Sequence, residues 1–190
     1  MNAEELLKQY QAGKRNFQRI DLTRVILKQT NLSQIDFSQA ILTEADFTGS
    51  NLSAAVFERA KLNLSNLTQT QLYRANLRFS SMESVLLYKA NLSLAQLQKA
   101  NLRQAILRRT FLRQANLSQA VLVGASLQQA NLIDANLTGV DLTGANLDRA
   151  FLQRANLQQA CLDNVDLSQT VLTGATMPDG TIFELQETKN

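Results

Sequence analysis

The 190-residue sequence predicts an all-β solenoid, a chain that turns a corner every five residues and stacks its coils around a filled apolar axis. Two periodic patterns predict this fold. All 32 positions reached in steps of five from Phe17 to Leu172 hold Leu, Phe or Met, and 27 of them are Leu. The 32 positions from Ile20 to Ala175, each two residues before a central position, hold only Ala, Ser, Thr, Val or Ile.

Regular secondary structure cannot produce a period of five. An α-helix turns about 100° per residue, so leucines five apart would spiral over every face. A straight strand alternates its faces with a period of two, and five is odd. In an extended segment residues two apart point the same way, so a corner every five residues turns the large central residue and the small residue before it inward.

The position between these two inward residues is Asn or Asp about half the time. The resulting motif is Ala-Asn-Leu-x-x, as at Ala130–Leu132 and Ala155–Leu157. The unbroken array over residues 15–176 resembles the pentapeptide repeat proteins, and the segments 12–17 and 177–181 resemble the ends of cyanobacterial members. This resemblance implies a right-handed quadrilateral β-helix of about eight 20-residue coils, roughly 38 Å long at the strand spacing of a sheet.

In a four-sided solenoid, residues 20 apart lie one above another. Phe17, Phe37 and Phe57 are therefore expected to form one column, while Phe47 stands alone on another side. Each stacked aromatic pair contributes about 0.5–1.5 kcal/mol beyond the burial of its rings.

The array requires caps, because the first and last coils of a repeat stack would otherwise expose their apolar centres. We predict an N-terminal helical cap over 1–14, the β-helix over 15–176, and a C-terminal turn, cap and tail over 177–190.

Residues 2–12 are expected to form a short helix. Asn2 is its N-cap, and Glu5 is the capping-box partner three residues later. Leu6 and Tyr10 are four residues apart and share the face that covers the first coil.

A turn at 178–180 is expected after the last repeat. Met177 and Ile182 are predicted to keep the five-residue phase on either side of it. Either Phe183 or Leu185 is expected to close the last coil.

The composition argues against catalysis. The chain has no His and one Cys, which excludes an imidazole base, an intrachain disulfide and a cysteine zinc site. A cluster of late carboxylates could supply an acid–base pair; it consists of Asp141, Asp148, Asp163 and Asp166. However, Asp141 and Asp166 occupy the motif position, where a short polar side chain hydrogen-bonds to nearby backbone. Cys161 lies among these acids and is expected to be unreactive. We predict no enzyme, no cofactor and no metal.

Charge is unevenly distributed along a chain whose net charge is +3. No acidic residue occurs between Ser84 and Ile133, and this stretch contains Lys89, Lys99, Arg103, Arg108, Arg109 and Arg113. From Asp134 onward, eight acidic residues accompany three basic ones. A basic waist and an acidic C-terminal part are therefore predicted, and such asymmetry can steer a charged partner. The alternative is that this asymmetry has no function, because outward residues need only keep the protein soluble and their identity can vary.

Apolar residues at outward positions beside these cations predict an interface, where aromatic residues and Arg are enriched. The candidate partner surface comprises Tyr73, Arg74, Leu86, Tyr88, Lys89, Ile106, Arg108, Arg109, Phe111, Arg113 and Phe151. Phe111 and Phe151 replace the motif Asn or Asp, which costs a backbone hydrogen bond at each. Shallow burial against neighbouring corners is the alternative, and a homodimer would also account for the apolar stripe.

The functional prediction is a non-catalytic scaffold or protein–protein interaction module. The resemblance to cyanobacterial members implies a regulatory role, since one of them modulates heterocyst differentiation by binding a regulator. The alternative is a DNA-mimic protein that binds gyrase, as some family members do. That mechanism needs an acidic surface and a dimer joined by a C-terminal helix, whereas this chain is net positive and its tail is short.

The sequence also makes predictions about nucleic-acid binding, membrane insertion and cellular location. Single-stranded nucleic acid is disfavoured because a convex solenoid side supplies no groove. No stretch of about 18 apolar residues predicts a membrane span, and no secretory signal is visible. One unpaired Cys suits a reducing compartment, so a cytoplasmic protein is expected.

Overall fold

The chain coils into four flat sides that repeat every 20 residues. The computed structural model describes residues 1–184. Helix α1 spans Ala3–Gln11, and parallel bridges then join residues 20 apart from Asn16 to Thr176. The four columns of bridges define sides 1 to 4 and begin at Asn16, Asp21, Ile26 and Asn31, respectively. Each side contributes an isolated bridge rather than an extended strand among the described residues, because a corner follows every bridge.

A repeat that carries the motif Asn satisfies all five of its backbone N–H groups, as residues 66–70 illustrate. The amides of Asn66, Leu67 and Gln69 donate to carbonyls of the adjacent coils over 2.7–2.9 Å. The amide of Thr70 closes the corner by donating to the carbonyl of Leu67. The remaining amide, of Thr68, donates to Oδ1 of Asn66 at 3.0 Å. The motif Asn is therefore the acceptor for the one N–H that neither the ladder nor the corner uses.

The corners have a conformation that the spacing alone does not specify. At all but one corner between Arg19 and Gly174, the third turn residue has a positive φ, and 26 of these residues are not glycine. Their φ values lie between 52° and 61°. Together with the hydrogen bond across the turn, this is the geometry of a type II turn. The exception is Gln169.

The axis is filled by the central residues, as predicted. Ring centroids of Phe17 and Phe37 are 6.2 Å apart, and those of Phe37 and Phe57 are 5.7 Å apart, which confirms the column. Phe47 stands alone in its own column on side 3, as predicted, but its ring also packs across the axis. Its ring lies 6.2 Å from that of Phe37 and 6.4 Å from that of Phe57, because the interior is only two side chains wide.

Polar residues at the small inward position are also accommodated. Buried hydroxyls of Ser65, Thr70 and Thr110 each donate to a main-chain carbonyl within 2.7–2.9 Å. Their hydrogen bonds offset the cost of removing these groups from water.

Helix α1 covers the first coil. Oδ1 of Asn2 accepts from the amide of Glu5 at 2.9 Å, and Leu6 and Tyr10 are buried, as expected. The hydroxyl of Tyr10 donates to the carbonyl of Ser33 at 2.8 Å, which ties the helix to the solenoid. The capping box is not completed, because the Glu5 side chain accepts from Gln9 instead. Within residues 1–184, no helix combines the length and the apolar composition that a transmembrane span requires.

The C-terminal end departs from the prediction. After the turn at 178–180 the chain reverses, and Ile182 forms an antiparallel bridge with Thr176. Ile182 is therefore exposed instead of keeping the five-residue phase. Phe183 closes the last coil incompletely and lines an apolar recess of about 570 Å³ with Leu172 and Met177. Leu185 lies outside the described residues.

Side 3 opens between its last two coils. Three ladder hydrogen bonds found in the earlier coils are missing there, so in residues 1–184 the amides of Leu147, Arg149 and Asp166 have no acceptor. The gap has a volume of about 370 Å³ and includes Gln169, the corner without a positive φ.

Candidate protein-interaction surface

The 20-residue coil separates the predicted surface residues into two groups. We call the first group the basic corner; it comprises Tyr88, Lys89, Arg108 and Arg109, which lie at the turn between sides 3 and 4. The bridge residues Leu86 and Ile106 flank it on side 3, and Phe111 and Phe151 flank it on side 4. The second group, Tyr73, Arg74 and Arg113, lies at the other corner of side 4, so the structure does not bring it to the basic corner.

Phe111 and Phe151 form the most distinctive feature of this surface. Their side chains are 50% and 41% exposed, and each is bridged to Asn131 in the coil between them. With Arg109, Gln129 and Arg149 they line a recess of about 460 Å³, which we call the phenyl slot. The convex solenoid was expected to offer no groove, but rings two coils apart create one because the shorter Asn131 lies between them.

The predicted loss of backbone hydrogen bonds at these phenylalanines is confirmed. The amides of Arg113 and Gln153, which a motif Asn would satisfy, have no acceptor within the described chain. Neither phenylalanine therefore supplies the hydrogen-bond acceptor that a motif Asn would supply.

Hydrogen bonds fix the polarity of the slot rim. Nε of Arg109 donates to Oε1 of Gln129 at 2.7 Å, which leaves the amide group of Gln129 as a donor. Arg149 has one distant acidic neighbour, with Nε 4.0 Å from Oδ1 of Asp148. The rim is consequently rich in cationic and N–H groups.

Tyr88 places a phenol with a lowered pKa in the basic corner. Its partial burial opposes ionisation, but Lys89 and Arg109 beside it outweigh burial and lower the pKa of the Tyr88 hydroxyl. The Lys89 ammonium lies 5.2 Å from the centroid of the Tyr88 ring. The hydroxyl is therefore polarised as a hydrogen-bond donor at the edge of the surface.

The second group meets the acidic part of the chain. Arg113 lies 3.7 Å from Asp134, and Arg154 forms a 2.7 Å ion pair with the same carboxylate. The hydrogen bond from Arg154 lowers the pKa of Asp134 most. The carboxylate of Asp134 thus offsets part of the positive charge that Arg74, Arg113 and Arg154 bring to this corner.

Sequence reasoning missed a second aromatic–cation cluster. Phe79 is exposed, and its ring centroid lies 5.2 Å from Arg59 and 5.8 Å from both Arg78 and Lys99. The 20-residue spacing of Arg59, Phe79 and Lys99 was the available signal. The same 20-residue spacing, counted from Arg109, would have identified Gln129 and Arg149 as its neighbours on the surface.

The late acidic cluster is arranged as the motif predicts. Oδ1 of Asp141 accepts from the Thr143 amide at 3.1 Å and its hydroxyl at 2.7 Å, and the hydroxyl bond is the larger cause of the lowered pKa of Asp141. Asp166 accepts from the Ser168 amide at 2.8 Å, which likewise lowers the pKa of that carboxyl. Cys161 is half-buried, with its sulfur 3.2 Å from the Thr143 hydroxyl. No group of three or more Cys, Asp or Glu residues within 1–184 is arranged to hold a metal ion.

Comparison with known families decides the identity of the repeat. A model described as pentapeptide repeats matches the chain in eight copies between residues 16 and 179. The chain belongs to the pentapeptide repeat family. Membership implies a right-handed β-helix, in agreement with the four columns of parallel bridges.

Solved pentapeptide repeat structures resemble this protein to different degrees. HetL of the cyanobacterium Nostoc sp. strain PCC 7120, involved in heterocyst differentiation regulation, is 33% identical, with 96% of this chain and 100% of that chain covered and a TM-score of 0.43. QnrB1, a plasmid-mediated fluoroquinolone resistance protein, is 20% identical over 86% of this chain and 92% of its own, with a TM-score of 0.58. An Arabidopsis thaliana thylakoid-lumen protein is 25% identical over 71% and 70%, with a TM-score of 0.21. No curated protein matches the chain.

Proposed function

We propose that this pentapeptide repeat protein is a non-catalytic scaffold that binds a protein partner through the basic corner and the adjoining phenyl slot. Members of the family are often protein-interaction scaffolds. The observation that carries the proposal is the pair of exposed phenylalanines at positions where a motif Asn would complete the ladder.

Stability does not account for Phe111 and Phe151. Each ring stays about half in water, and the amide two residues later has no acceptor within residues 1–184. Aromatic residues, Phe among them, and Arg are enriched at protein interfaces. Partner binding therefore supplies a reason for both phenylalanines that folding does not.

Non-catalytic action is supported by how the carboxylates are used. Hydrogen bonds lower the pKa of both Asp141 and Asp166, so both are ionised at neutral pH and neither is poised as a general acid. The proposal includes a regulatory role exerted by binding. It also includes a cytoplasmic location, which suits the unpaired thiol of Cys161.

The gyrase-binding alternative has less support. A DNA mimic presents continuous negative charge, whereas Asp134 is paired with Arg154 and lies beside Arg113. The likeness to QnrB1 concerns the fold alone at 20% identity. Inhibition or drug protection of purified gyrase in a supercoiling assay would overturn our preference.

Affinity capture from the native host, quantified by mass spectrometry, tests the proposal. Phe111→Asp, Tyr88→Ala and Arg109→Glu should each deplete the same captured protein while the thermal unfolding transition is retained. Capture unchanged by all three variants would refute the assignment of this surface. Light scattering on the purified protein is the companion measurement, since a dimer dissociated by Phe111→Asp would assign the surface to self-association.

A further inference from the structure

The phenyl slot has room for one apolar side chain between its two rings. Phe111 and Phe151 are separated by one intervening coil, so their backbones lie about 9.6 Å apart at the spacing of two strands. Carbon atoms in contact are about 3.5–4.0 Å apart. A single side chain placed above Asn131 therefore fits between the two rings, in the recess that they line.

Around this apolar gap the protein presents donors and little else. Oε1 of Gln129 already accepts from Arg109, and Oδ1 of Asn131 accepts from the amide of Ile133 at 3.2 Å. The remaining groups of both amides are N–H donors, and Arg109 and Arg149 have no acceptor atoms. A ligand seated in the slot must therefore bring its own acceptors, and carboxylates suit paired guanidinium groups best.

Groups around the phenyl slot extend its combination of positive charge and apolar surface beyond the space that one ligand residue would occupy. Lys89 and Arg108 add positive charge at the basic corner, and the exposed side chain of Leu86 adds apolar surface on side 3. The nearest acidic group on the rim, Asp148, lies 4.0 Å from Arg149 and offsets only part of this charge. A chain segment can use these added groups, whereas a single small molecule cannot.

We propose that the slot binds a segment of the partner protein in which an aromatic or large aliphatic residue is flanked by carboxylates. The apolar residue inserts between Phe111 and Phe151, and the flanking carboxylates pair with Arg109 and Arg149. This inference rests on the proposed scaffold function and specifies the chemistry of its partner.

Fluorescence anisotropy with the full-length protein and labelled peptides tests this inference. The probe is a peptide with one Phe between two acidic residues on each side, and the controls replace that Phe by Ala or the acids by Lys. The acidic Phe peptide should bind, and either replacement should weaken binding by about tenfold or more. Added salt should weaken it further, because the rim charges are exposed. Equal binding of the Ala or Lys peptide would overturn the inference.

Matched variants locate the site. Phe111→Asn combined with Phe151→Asn restores the motif residue and its acceptor, so the fold is retained while peptide binding is lost. Ile26→Asn is the matched control. It introduces Asn at the motif position of side 3, several coils from the slot, where the side chain of Ile26 is 66% exposed. This variant should leave peptide binding unchanged. Arg109→Glu with Arg149→Glu should switch the preference to the Lys peptide.

The outcomes separate the two proposals. Peptide binding that survives both phenylalanine replacements, or that is lost equally in Ile26→Asn, contradicts the slot assignment. If no acidic aromatic peptide binds while partner capture still depends on Phe111, the segment chemistry is wrong and the scaffold function stands. If capture is independent of Phe111, Tyr88 and Arg109, the scaffold surface itself is wrong.

Discussion

The ring of Phe47 contacts the ring of Phe37 across the solenoid axis, although the two residues belong to opposite sides. Their centroids are 6.2 Å apart, and Phe37 also contacts Phe17 and Phe57 in its own column. The first coils are thus joined by side-chain packing across the axis as well as by the backbone ladder. Phe37 is the centre of this cluster.

Truncating Phe37 should therefore be costly. Phe37→Ala removes a fully buried ring and should reduce the free energy of unfolding by about 3–5 kcal/mol, whereas Phe37→Leu, the common central residue, should cost less than about 1.5 kcal/mol. Phe17→Ala serves as a control, because that ring contacts one other phenyl ring. Urea denaturation measures all three. A loss for Phe37→Ala no larger than that for Phe17→Ala would contradict the central position of Phe37.

The corner conformation can be tested at Gly49. Its φ is +68°, and an added Cβ would meet only Cγ of Gln29 at 3.5 Å, so substitution there measures backbone strain with little steric clash. Gly49→Ala should cost about 1–2 kcal/mol. Gly49→Asn should cost less, because Asn tolerates positive φ. Thermal and urea unfolding of the pair provide the comparison, and equal stability of all three proteins would argue against a left-handed corner.

Acid sensitivity should come partly from motif aspartates. Burial raises the pKa of Asp36, but hydrogen bonds from Ser38 and Gln18 outweigh it and hold that pKa below its ordinary value. Burial of Asp46 is likewise outweighed, by Thr48 and then Lys28, so its pKa is also lowered. A depressed folded-state pKa stabilises the fold fully above the unfolded-state value, which is about 3.9. That stabilisation disappears as the pH falls through the folded-state pKa.

The double substitution Asp36→Asn with Asp46→Asn isolates this contribution. Asn keeps the acceptor for the corner amide but carries no charge, so at neutral pH the variant should be less stable than the parent by the contribution that ionisation makes. Below about pH 4, the variant should lose less stability than the parent. Melting temperatures measured from about pH 7 down to about pH 2.5 provide the test, and parallel curves for the two proteins would contradict it.

The gap on side 3 predicts a local weak point. The amides of Leu147 and Arg149 have no acceptor within residues 1–184, whereas the equivalent amides of Leu127 and Gln129 donate at 2.8 and 3.0 Å. Hydrogen exchange should be at least about a hundredfold faster at the first pair. Equal protection of both pairs would show that the last coil is fully stacked in solution.

Asn2, Leu6 and Tyr10 were sufficient to predict the helical cap, and the period of five was sufficient to predict the filled axis. It could also predict the role of the motif Asn, because a short acceptor is needed wherever the ladder leaves one N–H unused. The positive φ of corner residues such as Arg109 could not be predicted from residue type. That conformation is imposed by the ladder on both sides of the corner, since isolated Arg and Gln disfavour it.

Other features depend on distances that a sequence does not contain. The contact of Phe47 with Phe37 follows from the width of the interior. The repeat around Asp166 keeps the motif, so the sequence predicts a regular coil there; the ladder opens where few coils remain to hold it. The phenyl slot was predicted only in part. Phe111, Phe151 and Arg109 were among the candidate surface residues, whereas the corner residues Gln129 and Arg149 were not.

Site-specific photo-crosslinking gives the sharpest test of whether a partner protein binds at the phenyl slot. The photoreactive residue p-benzoylphenylalanine is placed in separate proteins at Phe111, at Phe79 and at Ile26, three exposed apolar positions on different parts of the solenoid. In native host extract, the probe at Phe111 should crosslink a specific protein, and the other two should not. Crosslinking of the same protein from Phe79 or Ile26 as efficiently as from Phe111 would show that the partner binds elsewhere.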